Sequence, residues 1–420
     1  MASGKHLTNL ENMNSNTQPL GRKQMAALMA MMIALMPFSI DAYLPAIPEM
    51  ARDLQADIHR IEQSLSLFLF GVAAGQVAGG AVSDIKGRKP VAVVGLLVYL
   101  AGVAAMGLAQ NAEQLLAWRA VQAFGAGLTV VVVGASVRDY YEGREAAQMF
   151  ALIGIILMIV PLAAPMVGAL LQSLGGWRAV FVFLAAYTLV LLFAVCRYLP
   201  KPTRSDKIGR GIFQVVGGRF KRVLNTRAAL GYLFFQAFSF GSMFAFLTES
   251  SFVYMEHYGL SSHGYAWVFA LNIITMASFN RITAWRLKAG THPQTLLGWG
   301  MKIQLAANLL MVGLVCAFEM PPLWAMAACV MLSVGTQGLI SANGQACFMN
   351  YFKTEGGSAN AVLGVCQSLI AASVGLLTTW LHNGSITIMP LMMLASTVSG
   401  LALLWVFSRE AWRNNGQESF

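Results

Sequence analysis

Gly79-Gly80-Ala81-Val82-Ser83-Asp84-Ile85-Lys86-Gly87-Arg88-Lys89-Pro90 is a short charged turn between two long apolar runs, residues 61–83 and 91–109. Each run is long enough to cross about 30 Å of hydrocarbon as a helix, so the turn is the tip of a helical hairpin at a membrane surface. Lys86, Arg88 and Lys89 place that surface on the cytoplasmic side, because short cytoplasmic loops collect Lys and Arg. Gly79 and Gly80 let a neighbouring helix come close, and Gly87 permits a reversal that a Cβ would obstruct. Asp84, at the helix end, is available to pair or to cap.

The whole composition agrees with that hairpin. The chain has 420 residues, 57% hydrophobic and only 11% charged, with a mean hydropathy of +0.61. A soluble domain could not hide so much apolar surface, so the class is a polytopic membrane protein. The net charge of +10 would suggest nucleic-acid binding in a soluble chain, but its distribution has another cause. Every Lys and Arg except Arg52, Arg60, Arg119 and Arg178 falls on one side of the predicted helices. That asymmetry puts both termini in the cytoplasm and calls for no nucleic-acid partner. The first 21 residues are polar, which argues against a cleaved signal peptide. Cys196, Cys316, Cys329, Cys347 and Cys366 are scattered through apolar runs without metal-ligand spacing and read as small core residues.

Apolar runs of 18 or more residues predict an all-α protein with about twelve spans, 24–47, 61–83, 90–110, 114–137, 146–171, 178–199, 228–251, 264–287, 294–318, 322–346, 357–381 and 386–408. A long basic interval separates six from six. The expected organisation is a cytoplasmic tail 1–23, a six-helix half 24–199, a basic linker 200–227, a second half 228–408 and a tail 409–420. Paired six-helix halves form a site near the midplane and rock about it.

Ionisable groups inside a bilayer are costly and point to function. Asp41 lies about seven residues before the outer end of the first span, roughly 10 Å deep at 1.5 Å per residue. Arg119 in the fourth span reaches about the same depth by the same measure, so the two are an expected ion pair. Burial favours a neutral carboxyl and a cation the charged one, and a group held between them can load and release a proton. A purely structural pair is the plainer reading of the same residues. Glu249 falls at the outer end of the seventh span, where it reads as a water-reached mouth residue or as a second acidic site facing the cavity. Pro161 and Pro165, four apart, each remove a backbone hydrogen bond and predict a bend in the fifth span.

The loop pattern Gly80-x-x-x-Asp84-x-x-Gly87-Arg88-Lys89 resembles the loop between the second and third helices of the major facilitator superfamily. Ile85 stands where that family usually has a basic residue. Arg119-x-x-Gln122 resembles the family's fourth-helix motif, linked to proton coupling, with Ala123 in place of Gly. Pro161, Pro165 and Gly168 resemble its antiporter motif, associated with export, with Ala164 and Ala169 at usual glycine positions. Asp41-Ala-Tyr-Leu-Pro45, Val137-Arg138-Asp139, Gly176-Trp177-Arg178 and Phe252-Val-Tyr254 are similar to the Bcr/CflA drug-resistance branch of the drug:proton antiporters. The resemblance implies that Asp139 bridges Arg88 and that, with Gly80, Asp84 and Gly87, they latch the transport cycle. It also implies the bacterial cytoplasmic membrane as location.

A substrate path needs adaptable apolar surface and a few polar groups at depth. The expected contacts are Tyr43, Gln122, Met158, Gln236, Phe240, Asn272, Gln337 and Asn343. Any packed or lipid-facing helix also needs such apolar residues. No phosphate loop, nucleophile with base or metal cluster is visible in the sequence, so the protein is read as a secondary transporter and not an enzyme. The expectation is a monomer without cofactor, exporting small hydrophobic or amphipathic compounds, antibiotics included, in exchange for protons. A proton-coupled exporter or uptake symporter for one metabolite is the alternative.

Overall fold

The computed structural model describes residues 21–141, 143–200, 223, 225–352 and 356–414, without the side chains of Asp84 and Met158 among others. Most of the predicted linker, nearly all of the first predicted tail and half of the second lie outside the described residues. Every regular element among the described residues is helical. In chain order these are α1 (Arg22–Asp41), α2 (Ile47–Asp53), α3 (Ile58–Lys86), α4 (Arg88–Gly107), α5 (Ala112–Tyr140), α6 (Gly143–Tyr198), α7 (Arg227–Ser251), α8 (Ser262–Lys288), α9 (Pro293–Ala317), α10 (Leu323–Gly335), α11 (Gln337–Met349), α12 (Gly356–Leu381) and α13 (Ile388–Asn414).

Local chemistry sets the boundaries. Asp57, Asn111 and Ser261 cap α3, α5 and α8 by accepting from the backbone N–H groups of His59, Gln114 and Gly264, which satisfies donors that a helix start leaves open. Gly87, at φ 90°, closes α3 and opens α4 in a single residue, the reversal predicted from its missing Cβ. α6 stays helical through Pro161 and Pro165 and breaks at Gly175 and Gly176, where φ is −151° and 67°. Pro45 and Pro48 fall where α1 gives way through a short 3-10 turn, Leu44–Ala46, to α2.

Ten segments among the described residues are long and apolar enough to cross a membrane. One of them, Gln148–Tyr198, spans the glycine break and is two helices. α8 is long enough at 27 residues but more polar. Splitting Gln148–Tyr198 at the break and adding α8 gives twelve long helices among the described residues, with α8 outside the ten membrane-length apolar segments. Each half packs on itself first, α3 on α5 and α4 on α5 in one, α7 on α13 and α12 in the other. The halves then meet where α3 lies on α12 and α6 on α8.

Below, the basic end is the one where α1 starts and α13 finishes, and the far end is its opposite. The polar links that join the halves among the described residues are at the far end. Ser251 Oγ donates to the Leu44 carbonyl at 2.9 Å, Arg52 lies 3.8 Å from Glu256, and His59 lies 3.8 Å from Glu249.

Missing Cβ atoms set how closely α3 and α5 pack. A Cβ on Gly75 would sit 2.2 Å from the Phe124 carbonyl oxygen, and one on Gly127 would sit 2.3 Å from that of Val72. Backbone cannot yield as a side chain can, and overpacking of this kind costs about 1–3 kcal/mol. Gly127→Val is expected to lower the melting temperature of the detergent-solubilised protein and its monodisperse yield, read by fluorescence-detected gel filtration after heating. Gly154→Val, where a Cβ meets open space, should leave both unchanged.

Candidate coupling and substrate site

Arg119 is fully buried on α5. Its Nη2 donates to the Ser39 carbonyl at 2.8 Å and its Nη1 to Gln122 Oε1 at 2.9 Å. The guanidinium carbon lies 4.5 Å from the ring centres of both Tyr43 and Phe68, so two aromatic faces cover the cation. Tyr43 and Ser39 are themselves anchored, Tyr43 by Ser64 at 2.9 Å and Ser39 by Tyr99 at 2.6 Å. Three helices thus converge on one charge with dipoles and π faces in place of a carboxylate.

This corrects the expected pair. Asp41 is 7% exposed and ends α1, but its carboxylate forms no ion pair with Arg119 or with any other described residue. The reason is direction. Arg119 reaches the backbone of residue 39, two positions earlier on α1, whereas Asp41 closes α1 just before the 3-10 turn that packs on α8. Matched depth did not imply a shared face. Gly168 of α6 packs beside Asp41, since a Cβ there would fall 2.1 Å from the Ala42 carbonyl oxygen.

At the basic end Arg88 Nε donates to Asp139 Oδ2 at 2.7 Å and Nη1 to Ser83 Oγ at 2.7 Å. Gly80 leaves ordinary van der Waals room beside Val131. The Asp84 carboxylate is outside the described side chains. At the far end Asp53 accepts from Trp177 Nε1 at 2.8 Å and from Arg178 at 2.6 Å, which pins α2 to the glycine break of α6.

The expected substrate contacts do not form one set. Tyr43 and Gln122 are committed to Arg119. In the other half Gln337 donates to Ser239 Oγ at 2.9 Å, and Ser239 donates to Gln304 at 2.9 Å. Asn343 and Asn272 each donate to a carbonyl one turn back, Leu339 and Val268, and Phe240 stacks on Phe244. The buried Oε1 of Gln236 and Oδ1 of Asn272 accept no hydrogen bond. Unassigned from sequence, Asn308 ties Ser333, Thr397 and the Met393 carbonyl together. A cavity of about 610 Å³ between α9 and α13 is lined by Met301, Leu305, Trp405 and Trp412 among others, and by none of the expected contacts.

Glu249 is the second correction. It is 1% exposed, not at a wet mouth, because α7 continues past it through the turn Phe252–His257 and α3 and α12 close over it. His382 Nδ1 lies 2.9 Å from Glu249 Oε2, and His59 Nδ1 lies 2.7 Å from Glu62 Oε2. The two imidazoles stack at 3.3 Å between centroids. Glu62, fully buried, was not singled out from sequence, since it sits at the start of its span where a headgroup position is the simpler reading. The i, i+3 spacing of His59 and Glu62 was the available signal.

The Major Facilitator Superfamily profile matches residues 29–376. A chloramphenicol resistance protein of Pseudomonas aeruginosa is 31% identical over 369 residues, covering 84% of each chain. A bicyclomycin resistance protein homolog of Haemophilus influenzae is 28% identical over 341 residues, covering 81% of this chain and 85% of the relative. The multidrug resistance protein MdtL of Shigella flexneri is 29% identical over 283 residues, covering 66% and 70%. Among solved structures, the nucleoside transporter NupG superposes with a TM-score of 0.70 at 15% identity over 93% of this chain and all of its own. A D-xylose-proton symporter superposes with a TM-score of 0.69 at 12% identity over 91% and 97%. The chain is a membrane transporter that belongs to the major facilitator superfamily.

Proposed function

We propose that the protein exports small hydrophobic or amphipathic compounds, antibiotics among them, across the bacterial cytoplasmic membrane in exchange for protons. The observation that carries the substrate class is the 31% identity to a chloramphenicol resistance protein over 84% of both chains. The bicyclomycin resistance homolog and MdtL support the same class. Proton coupling is supported by Asp41, a buried carboxyl at a helix C-terminus with no cationic partner among the described residues. The dipole there is negative, so a proton is the cation that can offset its charge.

In this reading the basic end faces the cytoplasm with both termini, and a far end held by cross-half links corresponds to the inward-facing conformation. Arg119 stabilises the backbone beside Asp41, so loading Asp41 shifts α1 against α8 without breaking the Arg119 box. Gly168, with Pro161 and Pro165, keeps α6 against α1 as the halves rock. Gly80, Asp84, Gly87, Arg88 and Asp139 act as the latch of the opposite state. Gln236 and Asn272, with free buried acceptors, contribute polar contacts to substrate, with Phe240, Gln337 and Asn343 as further contacts and Met158, whose side chain lies outside the described ones, as another. The protein acts as a monomer, and the proton gradient is its energy source.

In inverted vesicles with an acid interior and a pH dye, wild type should discharge the gradient when several unrelated antibiotics and cationic dyes are added. Asp41→Asn is expected to abolish that discharge while expressing and melting like wild type. A mutant that discharges normally removes Asp41 from coupling, and a response to a single polar compound favours the one-metabolite alternative. Arg119→Lys should cost more than tenfold in transport rate, because an ammonium lacks the planar fork that meets Ser39 and Gln122 together. A rate within twofold of wild type would show the charge alone suffices.

A further inference from the structure

Four side chains at the far end, His59, Glu62, Glu249 and His382, meet with almost no access to solvent. Exposure of the side chains is 14% for His59, 3% for His382, 1% for Glu249 and 0% for Glu62. One ligand atom from each of His59, Glu249 and His382 lies within 4.8 Å of the others. Glu62 Oε2 joins them through His59 at 2.7 Å. Neither glutamate has a Lys or Arg partner among the described residues. Glu62 Oε1, Glu249 Oε1 and His382 Nε2 are buried without hydrogen-bond partners, so the cluster is short of donors and of positive charge.

Two ionised carboxylates held this close in a dry site repel each other and are costly to desolvate. A divalent cation would offset both charges at once. Two imidazole nitrogens and two carboxylate oxygens are a donor set suited to zinc and similar borderline metals, and a poor one for calcium or magnesium. The contacts of 2.7, 2.9 and 3.8 Å already bring the donors together, and one of the stacked imidazoles must turn for both nitrogens to face an ion with ligands at about 2.0–2.2 Å.

We propose that His59, Glu62, Glu249 and His382 form a binding site for a divalent transition metal, zinc being the probe, which clamps the far end of the transporter shut. His59 and Glu62 lie on α3 in the first half. Glu249 lies on α7, and His382 directly follows α12, in the second. An ion bound to all of them crosses the interface between the halves. Opening the far end must pull His59 away from Glu249 and His382, so the metal holds the conformation seen here and is released when it opens. Zinc on that side therefore slows turnover without occupying the substrate path.

The test uses the full-length protein in lipid nanodiscs, stripped with chelator and titrated with Zn²⁺ at neutral pH, with binding and melting temperature both recorded. Wild type is expected to bind Zn²⁺ saturably and to melt higher as Zn²⁺ rises. His59→Gln and His382→Gln should each weaken binding at least about tenfold, as loss of a ligand does more than loss of its outer partner, and should lose the melting shift. The native cysteines are common to all these proteins, so the difference isolates the cluster. His382→Cys should bind again and turn towards Cd²⁺, since a thiolate prefers the softer ion. Equal Zn²⁺ affinity in wild type and both glutamine variants would overturn the site, as would absence of saturable binding. A melting temperature that follows pH and ignores Zn²⁺ would mean the cluster holds protons only. Each readout is independent of transport, so failure here leaves the drug-export reading standing, and the converse.

Discussion

A guanidinium with no anionic partner among the described residues sits at the centre of the first half, and the helices around it are arranged to make that tolerable. Arg119 cannot be deprotonated at ordinary pH and has no access to water, so its charge must be met by fixed dipoles and aromatic faces. α1 supplies the Ser39 carbonyl, the turn after α1 supplies Tyr43, α3 supplies Phe68, and α5 itself supplies Gln122. Cation–π contacts in such a desolvated place are worth about 2 kcal/mol or more each. They hold α1, α3 and α5 in one register. The glycines that bring α3 and α5 into backbone contact make that register possible, because Phe68 reaches Arg119 only across so narrow a gap.

The consequence for Asp41 follows from where α1 ends. With Arg119 engaged by the backbone two residues earlier, Asp41 is left at the close of the helix, beside the second half and without a partner. Its charge state can then respond to the arrangement of the halves, which a tight ion pair would have prevented.

The two ends of the interface are built differently. At the far end the groups that meet across the interface include the buried, titratable His59, Glu249 and His382, with Glu62 behind His59 and apolar rings such as Phe252 around them. At the basic end the Arg88 and Asp139 pair lies within one half and is partly exposed, at 18% and 45%, so water and salt weaken it. Separating the halves at the far end therefore depends on what neutralises the carboxylates there, while the basic end is governed by contacts that solvent already competes for.

Much of the fold was legible from residues 79–90 outward, because length, hydropathy and the side on which Lys and Arg collect are local properties that a bilayer converts directly into topology. The spans, the Gly87 reversal and the break near residues 175–176 needed no knowledge of neighbours. Asp41 and Arg119 stood out for the same reason, as charges where a bilayer penalises them. Their partners did not follow, since which face of a helix a side chain occupies depends on rotation and on backbone approach set by glycines such as Gly75, Gly127 and Gly168. Glu249 and Glu62 were hidden for a related reason, because depth read along a single helix ignores the segments folded over its end. The sequence by itself determined the helices, their order and the charges that needed an explanation. Only the tertiary structure decided which charges meet, because Glu249 and His382, far apart in the chain, become neighbours when the second half folds, and His59 joins them only where the two halves meet.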